Sequence, residues 1–513
     1  MSEPVGNLER RRAPLEMGGD EFRAAGHRLV DDIAAFLDSL PARRVTRDEA
    51  PRELRRLLPD RLPAGGSDAS HLLHEVAGLL FDHSLFNGHP RFLGYVTSSA
   101  APIGALADLL AAAVNPNCGG WQLSPLASEI EKQTVQWIAE LLGMPAGSGG
   151  LLVSGGNMAN FVGFLAARRA VGGESLRGKG VGSGRLLVYA STETHTWLQK
   201  AADLFGHGTE AIRWIPVDRR ARADVSALRR QIAEDARQGH RPFLVVGNAG
   251  TVSTGAVDPL PAMAEIAREH GLWFHADGAY GAFAVLSDDA PPELRGLALA
   301  DSVAVDPHKW LYSPLEAGCT VVRRPEALVE AFSYTPPYYR FTGEEEDPRL
   351  NYYEIGLQNS RGFRALKVWL ALRQVGRDGY RRMISDDIRL ARELHRRVEE
   401  SPELEPLTLD LSISTFRYVP RDLKPGAEDV DRYLNELNEE VLRRLKGGGE
   451  VFVSNAVVEG RFALRACIVN FRTSLEDVAA IPEIVVRCGR LADEELRPDK
   501  RIPPPRPSAA AHH

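Results

Sequence analysis

One segment of the chain joins a short apolar run to a reactive amine. Asp301-Ser-Val-Ala-Val-Asp-Pro-His-Lys-Trp310 predicts a buried strand that ends in a polar turn. The turn places Lys309 between His308 and Trp310, where water has poor access to the amine. A poorly solvated amine is more often neutral, and a neutral amine can form a Schiff base with a carbonyl compound. An ordinary surface lysine is the alternative interpretation of this residue.

A second segment, Leu272-Trp-Phe-His-Ala-Asp-Gly-Ala-Tyr-Gly281, places a carboxylate at the end of another predicted strand. Ligands of open α/β sheets bind at the carboxyl ends of the strands. Asp277 can therefore hold the nitrogen of a heterocyclic ring in its protonated state, which makes the ring an electron sink. Gly278 and Ala279 are small enough for a flat ring to lie against the backbone. A turn or N-cap aspartate is the alternative.

The third segment is a glycine turn between a strand and a helix, in Gly149-Gly-Leu-Leu-Val-Ser-Gly-Gly-Asn-Met-Ala-Asn160. Unpaired backbone N–H groups at the start of such a helix bind anions such as phosphate. Gly155, Gly156 and Asn157 are the candidates for this contact. The turn matches neither GxGxxG nor GxxxxGK[ST], which argues against a Rossmann or P-loop nucleotide site, while a purely structural turn stays open.

The fourth segment, Tyr189-Ala-Ser-Thr-Glu-Thr-His195, is a strand that runs out into a loop. The His195 imidazole can stack on a pyridine ring and relay protons near a reacting carbon, or it can be a structural loop histidine. The four segments follow one another as phosphate turn, stacking histidine, ring-nitrogen aspartate and Schiff-base lysine, each at the carboxyl end of a predicted strand. Together they predict a site for pyridoxal 5'-phosphate (PLP).

The elements that must position these residues alternate between short apolar runs and helical segments. Between two of the strands lies a helix, Asp258–His270, opened by Asp258 and Pro259 and closed by Gly271. This alternation is typical of a mostly parallel α/β sheet with helices on both faces. The predicted strands are Leu186–Tyr189, Phe243–Val246, Leu272–His275 and Ser302–Val305.

Four regions are predicted along the chain. Residues 1–85 form a helical dimerisation segment, with amphipathic helices from Asp20 and around Leu72–Phe81. Residues 86–385 form the large PLP-binding domain, residues 386–497 a smaller α+β domain, and residues 498–513 a disordered Pro/Ala-rich tail. The predicted C-terminal elements are a helix over about 379–400, strands Ser412–Tyr418, Glu450–Ser454 and Arg461–Val469, and a helix Asp429–Leu445.

Composition narrows the class of protein. The net charge of −7 gives no basic face for nucleic acid. The four cysteines form no CxxC motif and no Cys/His cluster, so we expect neither a disulfide scaffold nor a metal site. The N-terminal residues lack the apolar core of a secretory signal, and no apolar stretch reaches the roughly 18 residues of a membrane span. We expect a cytoplasmic protein that binds neither membranes nor nucleic acid.

The motifs resemble those of the group II PLP-dependent decarboxylases, which include the aromatic L-amino acid, tyrosine, histidine and glutamate decarboxylases. The resemblance rests on Asp306-Pro-His-Lys-Trp310, His275-Ala-Asp-Gly-Ala-Tyr280 and Gly250-Thr-Val-Ser253, and it extends over about residues 20–490. It implies a PLP-dependent enzyme of fold type I, built as a homodimer whose active sites lie at the interface. Its activity would be removal of the α-carboxylate from an amino acid.

The resemblance also implies roles for individual residues. Lys309 would carry PLP, Asp277 would pair with the ring nitrogen, and the ring would lie between His195 and Ala279. Gly155, Gly156 and Asn157 would hold the phosphate with help from His308, and Thr251 and Asp306 would be further cofactor contacts. For substrate binding the candidates are Tyr95, Asn87, Phe92, Gly119 and Trp310. Rings at Tyr95, Phe92 and Trp310 favour an aromatic substrate, although relatives specific for aromatic substrates often carry large rings where this chain has Asn87 and Gly119.

In this family a tyrosine on a mobile loop protonates the α-carbon of the substrate. Gap-free alignment with the family, either forward from Lys309 or backward from Arg361, leads to Tyr338. Tyr339, Tyr352 and Tyr353 are alternatives. Relatives that form aldehydes tend to carry phenylalanine at this position. Open alternatives are therefore an aldehyde-forming oxidative deaminase, a decarboxylase of glutamate, histidine or diaminobutyrate, another PLP reaction, and a non-catalytic cofactor-binding protein.

Overall fold

The computed structural model describes residues 13–182, 186–334 and 349–497. No helix in these ranges is long and apolar enough to cross a membrane. Short 3-10 helices occur at Leu40–Ala42, Trp121–Leu123, Thr209–Ala211, Ala282–Leu286, Pro292–Leu299 and Tyr352–Glu354. The α-helices are α1 (Gly19–Ser39), α2 (Pro51–Arg55), α3 (Ala69–His83), α4 (Pro102–Val114), α5 (Pro125–Leu141), α6 (Gly156–Gly172), α7 (Ser175–Lys179), α8 (Trp197–Leu204), α9 (Val225–Arg237), α10 (Leu260–Glu269), α11 (Pro307–Trp310), α12 (Glu326–Phe332), α13 (Ala365–Glu400), α14 (Glu428–Gly448) and α15 (Leu475–Leu496).

Two sheets organise the described residues. The larger has the strand order β1-β7-β6-β5-β4-β2-β3, and the smaller has the order β10-β11-β9-β8. The strands are β1 (Gly149–Val153), β2 (Leu186–Ser191), β3 (Ile212–Ile215), β4 (Arg241–Asn248), β5 (Trp273–Asp277), β6 (Ser302–Val305), β7 (Gly318–Val322), β8 (Leu404–Asp410), β9 (Ile413–Tyr418), β10 (Ser454–Val458) and β11 (Arg461–Cys467).

The larger sheet is parallel except for β7, which runs antiparallel to both of its neighbours. The strands β1, β2, β4, β5 and β6 therefore end at the same edge of the sheet. Side chains of β2 alternate between two cores. Leu187 packs with α5, α9 and α10 in one core, whereas Leu186 and Val188 pack with α6 and α8 in the other. Burial on both faces explains the unbroken apolar runs, and the expected mostly parallel α/β sheet is confirmed.

Asp258 has a different role from the one predicted. The helix α10 begins at Leu260, and its N-cap residue, Pro259, makes no side-chain capping hydrogen bond. The Asp258 carboxylate instead accepts hydrogen bonds from the backbone N–H groups of Ala223 and Asn248, both over 2.8 Å. Burial raises the pKa of Asp258 to about 6. This aspartate therefore joins neighbouring segments of the sheet rather than starting the helix.

In the smaller antiparallel sheet one predicted strand is wrong. Residues 450–453 are not a strand; instead Phe452 bridges to Phe92, and the strand is Ser454–Val458. Its residues alternate between buried and exposed, which is the ordinary signal of a half-buried strand. The helix expected over 379–400 begins earlier, at Ala365, with a kink where Gly376 adopts a φ of 69°.

The two N-terminal helices predicted from periodicity are α1 and α3. They pack against each other through stacked rings of Phe36 and Phe81, whose centroids are 4.4 Å apart. Large apolar side chains on both helices stay exposed, among them Phe22 and Leu80. The predicted domain boundaries stay predictions, and the one between residues 385 and 386 falls within α13.

Candidate active site

A cavity of about 490 Å³ lies at the edge of the large sheet where β1, β2, β4, β5 and β6 end. Five segments that are distant in sequence contribute to its wall, because parallel strands end at the same edge. All ten residues predicted to contact the cofactor line this cavity: Gly155, Gly156, Asn157, His195, Thr251, Asp277, Ala279, Asp306, His308 and Lys309. The structure brings these residues together, while their individual roles stay predictions.

Lys309 lies on α11, a single turn that directly follows β6. Its Nζ atom is 3.0 Å from Oδ2 of Asp306, and its side chain is 20% exposed. The next residue, Trp310, anchors the turn, since its indole N–H donates to Oδ2 of Asp387 over 2.8 Å. Burial raises the pKa of Asp387 to about 7. The amine therefore projects into the cavity from a turn that is fixed from behind.

Asp277 is the last residue of β5 and is 8% exposed. Its Oδ1 atom accepts a hydrogen bond from the backbone N–H of Ala279 over 3.2 Å. Its Oδ2 atom accepts one from the indole N–H of Trp197 over 2.7 Å. A carboxylate that faces a cavity between two neutral donors can bind a cationic group such as a protonated ring nitrogen.

The glycine turn lies between β1 and α6. Gly155 has a φ of 143°, which an L side chain rarely adopts. A Cβ atom at Gly156 would lie 2.7 Å from Oδ2 of Asp306 and 3.2 Å from Cβ of Ala279. The turn therefore needs glycine at both positions, and the first N–H groups of α6 face an opening that suits an anion.

A series of buried hydrogen bonds fixes the first turn of α6 to the sheet. The side-chain amide of Asn160 donates to the Gly156 carbonyl, and its Oδ1 atom lies 2.8 Å from Nε2 of His275. Because an amide oxygen only accepts, His275 carries its proton on Nε2, and its Nδ1 accepts from the Ser302 hydroxyl over 2.7 Å. Desolvation holds the pKa of His275 well below its ordinary value, so the ring is neutral.

His195 follows β2 on the loop at the cavity. Desolvation lowers the pKa of its imidazole, against the opposing effect of the Asp277 carboxylate. Its Nδ1 atom accepts a hydrogen bond from the backbone N–H of Trp197 over 3.2 Å. The loop itself is held by Asn248, whose side-chain amide donates to the Thr194 hydroxyl over 3.1 Å. A neutral ring in a fixed orientation is what stacking on a cofactor requires.

His308 and Thr251 complete the wall near Lys309. Nδ1 of His308 lies 2.7 Å from the Ala317 carbonyl oxygen, and its Nε2 lies 3.7 Å from Asp306 Oδ2. Burial lowers the pKa of His308. The Thr251 hydroxyl is hydrogen bonded to that of Thr254 over 3.0 Å.

None of the five residues predicted to bind substrate lines the cavity. Phe92 and Trp310 are core residues, stacked on Phe452 and Tyr280 respectively. Gly119 is explained by packing, because a Cβ atom there would lie 1.9 Å from the Asn359 carbonyl oxygen.

The other two substrate candidates are nearer the surface. Tyr95 is 54% exposed and borders Val96 and Thr97, which do line the cavity. Asn87 is partly buried in a turn. The five substrate candidates are therefore not part of the lining of this cavity, and their roles stay predictions.

Sequence reasoning missed two residues of the wall, Glu193 and Asn248, and one residue behind it, Trp197. Glu193 lies two positions before His195, and burial raises the pKa of its carboxyl group. Asn248 is the last residue of β4, so its position at a strand's carboxyl end was the available signal. Trp197 gave no such signal, because a tryptophan at the start of a helix resembles any core residue.

The predicted proton donor Tyr338 and its neighbour Tyr339 lie outside the described residues. Tyr352 is buried, and its hydroxyl donates to the Ser128 carbonyl over 3.3 Å. Neither Tyr352 nor Tyr353 lines the cavity. Within the described ranges no group of three or more His, Cys, Asp or Glu residues is arranged to hold a metal ion.

The residues present fit PLP. The volume of about 490 Å³ is within the range of small-molecule sites, roughly 300–1,000 Å³. The glycine turn suits a phosphate, Asp277 suits a ring nitrogen, and Lys309 supplies an amine. The buried Oδ1 atom of Asp306 has no hydrogen-bond partner among the described residues, which leaves an acceptor available beside the lysine.

Comparison with known proteins agrees with this geometry. Residues 51–418 match the family described as the pyridoxal-dependent decarboxylase conserved domain. The chain is 33% identical to an aromatic-L-amino-acid decarboxylase of Bacillus atrophaeus, over 94% of this chain and 97% of that protein. It is 30% identical to a phenylacetaldehyde synthase of a Rosa hybrid cultivar, over 88% and 90%.

A solved structure has the same fold as this chain. The crystal structure of Oryza sativa TDC with PLP and tryptamine superposes with a TM-score of 0.85 at 26% identity, covering 94% of this chain and 99% of that chain. The large sheet and its helices are accordingly those of fold type I, as expected. This chain belongs to the pyridoxal-dependent decarboxylase family, and its cofactor is pyridoxal 5'-phosphate.

Proposed function

We propose that the chain decarboxylates an aromatic L-amino acid to the corresponding amine and CO2, with PLP attached to Lys309. The observation that carries the proposal is the convergence of Lys309, Asp277, His195 and the glycine turn on one cavity. When bound, PLP supplies an electron sink for the bond that breaks.

The residues of this chain divide the remaining tasks. Asp277 holds the ring nitrogen, and the N–H groups of Gly155, Gly156 and Asn157 hold the phosphate. His195 covers one face of the ring and Ala279 the other. Loss of the carboxylate rather than another reaction requires the α-carboxylate to be oriented so that its bond to the α-carbon stands perpendicular to the fixed ring. Tyr338 donates the proton that replaces CO2 on the α-carbon.

The aromatic substrate class is supported by the names of the relatives. The Bacillus atrophaeus relative is named an aromatic-L-amino-acid decarboxylase, and 30% identity relates the chain to tyrosine decarboxylase 4 of Petroselinum crispum. The phenylacetaldehyde synthases are about as similar, so similarity alone does not separate amine from aldehyde as product. A tyrosine at position 338, rather than phenylalanine, supports the amine.

The test is a panel of amino acids assayed for CO2, amine and aldehyde. We expect amine and CO2 in equal amounts from at least one of tryptophan, tyrosine, DOPA and phenylalanine, and little product from glutamate, histidine or diaminobutyrate. A preference for one of the latter three would overturn the aromatic class. Aldehyde and ammonia as the main products would overturn amine formation.

We also infer a homodimer and a cytoplasmic location. A row of exposed apolar side chains on α4, formed by Leu106, Leu109, Leu110 and Val114, supports a second copy of the chain as the surface that covers it. The cysteines support a reducing compartment, because Cys118, Cys319, Cys467 and Cys488 are all unpaired.

A further inference from the structure

Trp197 is hydrogen bonded to two proposed cofactor residues, Asp277 at the ring nitrogen and His195 on one face of the ring. Its indole N–H donates to Oδ2 of Asp277 over 2.7 Å, and its backbone N–H donates to Nδ1 of His195 over 3.2 Å. The side chain is 0% exposed and packs edge-on against the His275 ring, with centroids 5.7 Å apart. It does not itself line the cavity.

The indole bond restricts the Asp277 carboxylate. With Oδ2 held by the indole and Oδ1 by the Ala279 N–H, rotation of the carboxylate would break at least one hydrogen bond. Loss of the indole donor would remove one of the two hydrogen bonds that fix this carboxylate, and hydrogen bonds to charged groups are among the stronger ones in proteins. Both donors are neutral, so they leave the negative charge of Asp277 available to a cation in the cavity.

We propose that Trp197 is a positioning residue that holds the Asp277 carboxylate toward the cofactor's ring nitrogen through its indole N–H. The proposal rests on the proposed role of Asp277 as the partner of that nitrogen. The backbone N–H of Trp197 orients the His195 imidazole in the same way, so this one residue orients both side chains. The two contacts are separable, because substitution of the side chain leaves the backbone contact in place.

The experiment is a double-mutant cycle on the affinity of the apoenzyme for PLP, measured by titration of the bound cofactor's absorbance. Trp197→Phe keeps an aromatic ring but removes the donor, and we expect it to weaken PLP binding by about tenfold or more. In the Asp277→Ala background, where the acceptor is gone, the same change should weaken binding by less than about twofold. An equal effect in both backgrounds would mean that Trp197 acts through packing, and would overturn the proposal.

A matched control removes a comparable bond elsewhere. The Tyr189 hydroxyl donates to the buried carboxylate of Asp235 over 3.0 Å, on the opposite face of β2. Tyr189→Phe should leave the affinity for PLP within about twofold of wild type. A loss as large as that of Trp197→Phe would make the effect a general consequence of lost stability and would overturn the proposal.

The cycle separates the two hypotheses. If Asp277→Ala alone leaves PLP affinity unchanged, the proposed role of Asp277 fails. If Asp277→Ala weakens binding but Trp197→Phe does not, only the role of Trp197 fails.

A second measurement needs no substitution of Trp197, which matters if that variant does not fold. In holoenzyme labelled with 15N-tryptophan, the seven indole N–H resonances can be compared between wild type and Asp277→Ala. One resonance, from the indole that donates to Asp277, should shift strongly. If all seven resonances stay unchanged, the hydrogen bond does not exist and the proposal is wrong.

Discussion

Asp277 and Asp306, two of the carboxylates that line the cavity, differ in what surrounds them. Asp277 accepts hydrogen bonds from two neutral donors and forms no ion pair with a lysine or arginine of the described residues. Asp306 is paired with the Lys309 amine through Oδ2, and its Oδ1 atom has no partner among the described residues. The first arrangement suits a cation brought by a ligand, whereas the second keeps the lysine of the chain at the cavity wall.

Lys309 is the attachment point in this scheme. We expect Lys309→Ala to abolish turnover, because Lys309 is the one lysine of the described residues that lines the cavity. After borohydride treatment and proteolysis, mass spectrometry should find the cofactor on the Lys309 peptide of wild type and on no peptide of the variant. Normal turnover by Lys309→Ala would contradict the assignment.

Tyr338 is tested by its product. In Tyr338→Phe the α-carbon lacks its proton donor after CO2 leaves, so reaction with oxygen competes with protonation. We expect the amine yield to fall and the aldehyde and ammonia to rise, with oxygen consumed in proportion. Tyr339→Phe is the matched control and should keep amine as the main product; the reverse pattern would transfer the role to Tyr339.

At the scale of elements, the turn that carries Lys309 is held by a contact between α11 and α13. Trp310 on α11 donates to Asp387 on α13, and the hydroxyl of Tyr312 donates to the same Oδ2 atom over 2.7 Å. Both groups donate to a carboxyl group whose pKa is raised by burial. The turn that carries Lys309 is therefore held by a group whose charge depends on pH.

This contact gives a pH-dependent stability. In the folded protein Asp387 keeps its proton up to about pH 7, whereas the unfolded chain releases it near 3.8. The resulting stabilisation is fully present below the unfolded pKa and is lost as the pH rises to about 7. Asp387→Asn cannot titrate, so the free energy of unfolding of wild type relative to the variant should fall as the pH rises from about 5 to 7, by at most about 1.4 kcal/mol per pH unit.

Urea unfolding at several pH values measures this difference. The neighbouring Asp386 is largely exposed, so Asp386→Asn is the matched control and should give a curve parallel to that of wild type. Parallel curves for wild type and Asp387→Asn would show that Asp387 does not carry the effect.

The sequence predicted the large sheet well because its strands are buried on both faces and their apolar runs are unbroken. Ser302–Val305 has the predicted bounds, and the cofactor candidates could be found since they follow such strands. Prediction failed for the strand Glu450–Ser454, where Phe452 pairs with Phe92 outside any strand. The packing of Gly119 against the Asn359 carbonyl was likewise not foreseen, while its substrate role stays a prediction. Neither contact leaves a local pattern in the sequence.

At the scale of the whole molecule, the two sheets meet beside the cavity. Tyr280 lines the cavity, and its hydroxyl is hydrogen bonded to that of Ser412, next to β9 of the smaller sheet, over 2.7 Å. On the outside, α1, α3 and α4 leave apolar side chains exposed. The site is thus supported by contacts within one chain, and these exposed side chains form the surface that the proposed dimer would cover.

The proposed dimer is tested at α4. Replacement of Leu109 and Leu110 by glutamate places charges in the exposed apolar row and should give a monomer with little activity, as measured by sedimentation velocity and assay. Val457 is also exposed, but on the small sheet, so Val457→Glu is the control and should stay dimeric. A monomeric wild type, or an active dimer of the double variant, would contradict the proposed interface.

The position of β1 makes its pairing a late event in synthesis. This strand lies at the edge of the large sheet, and among the described strands it pairs with β7 alone, from Gly149 with Val322 to Val153 with Gly318. A nascent chain therefore carries an unpaired β1 until Val322 has left the ribosome, and such distant pairings form slowly. The glycine turn that follows β1 lacks the support of this pairing before then, so we expect PLP to bind late and to stabilise chains in which the pairing has formed.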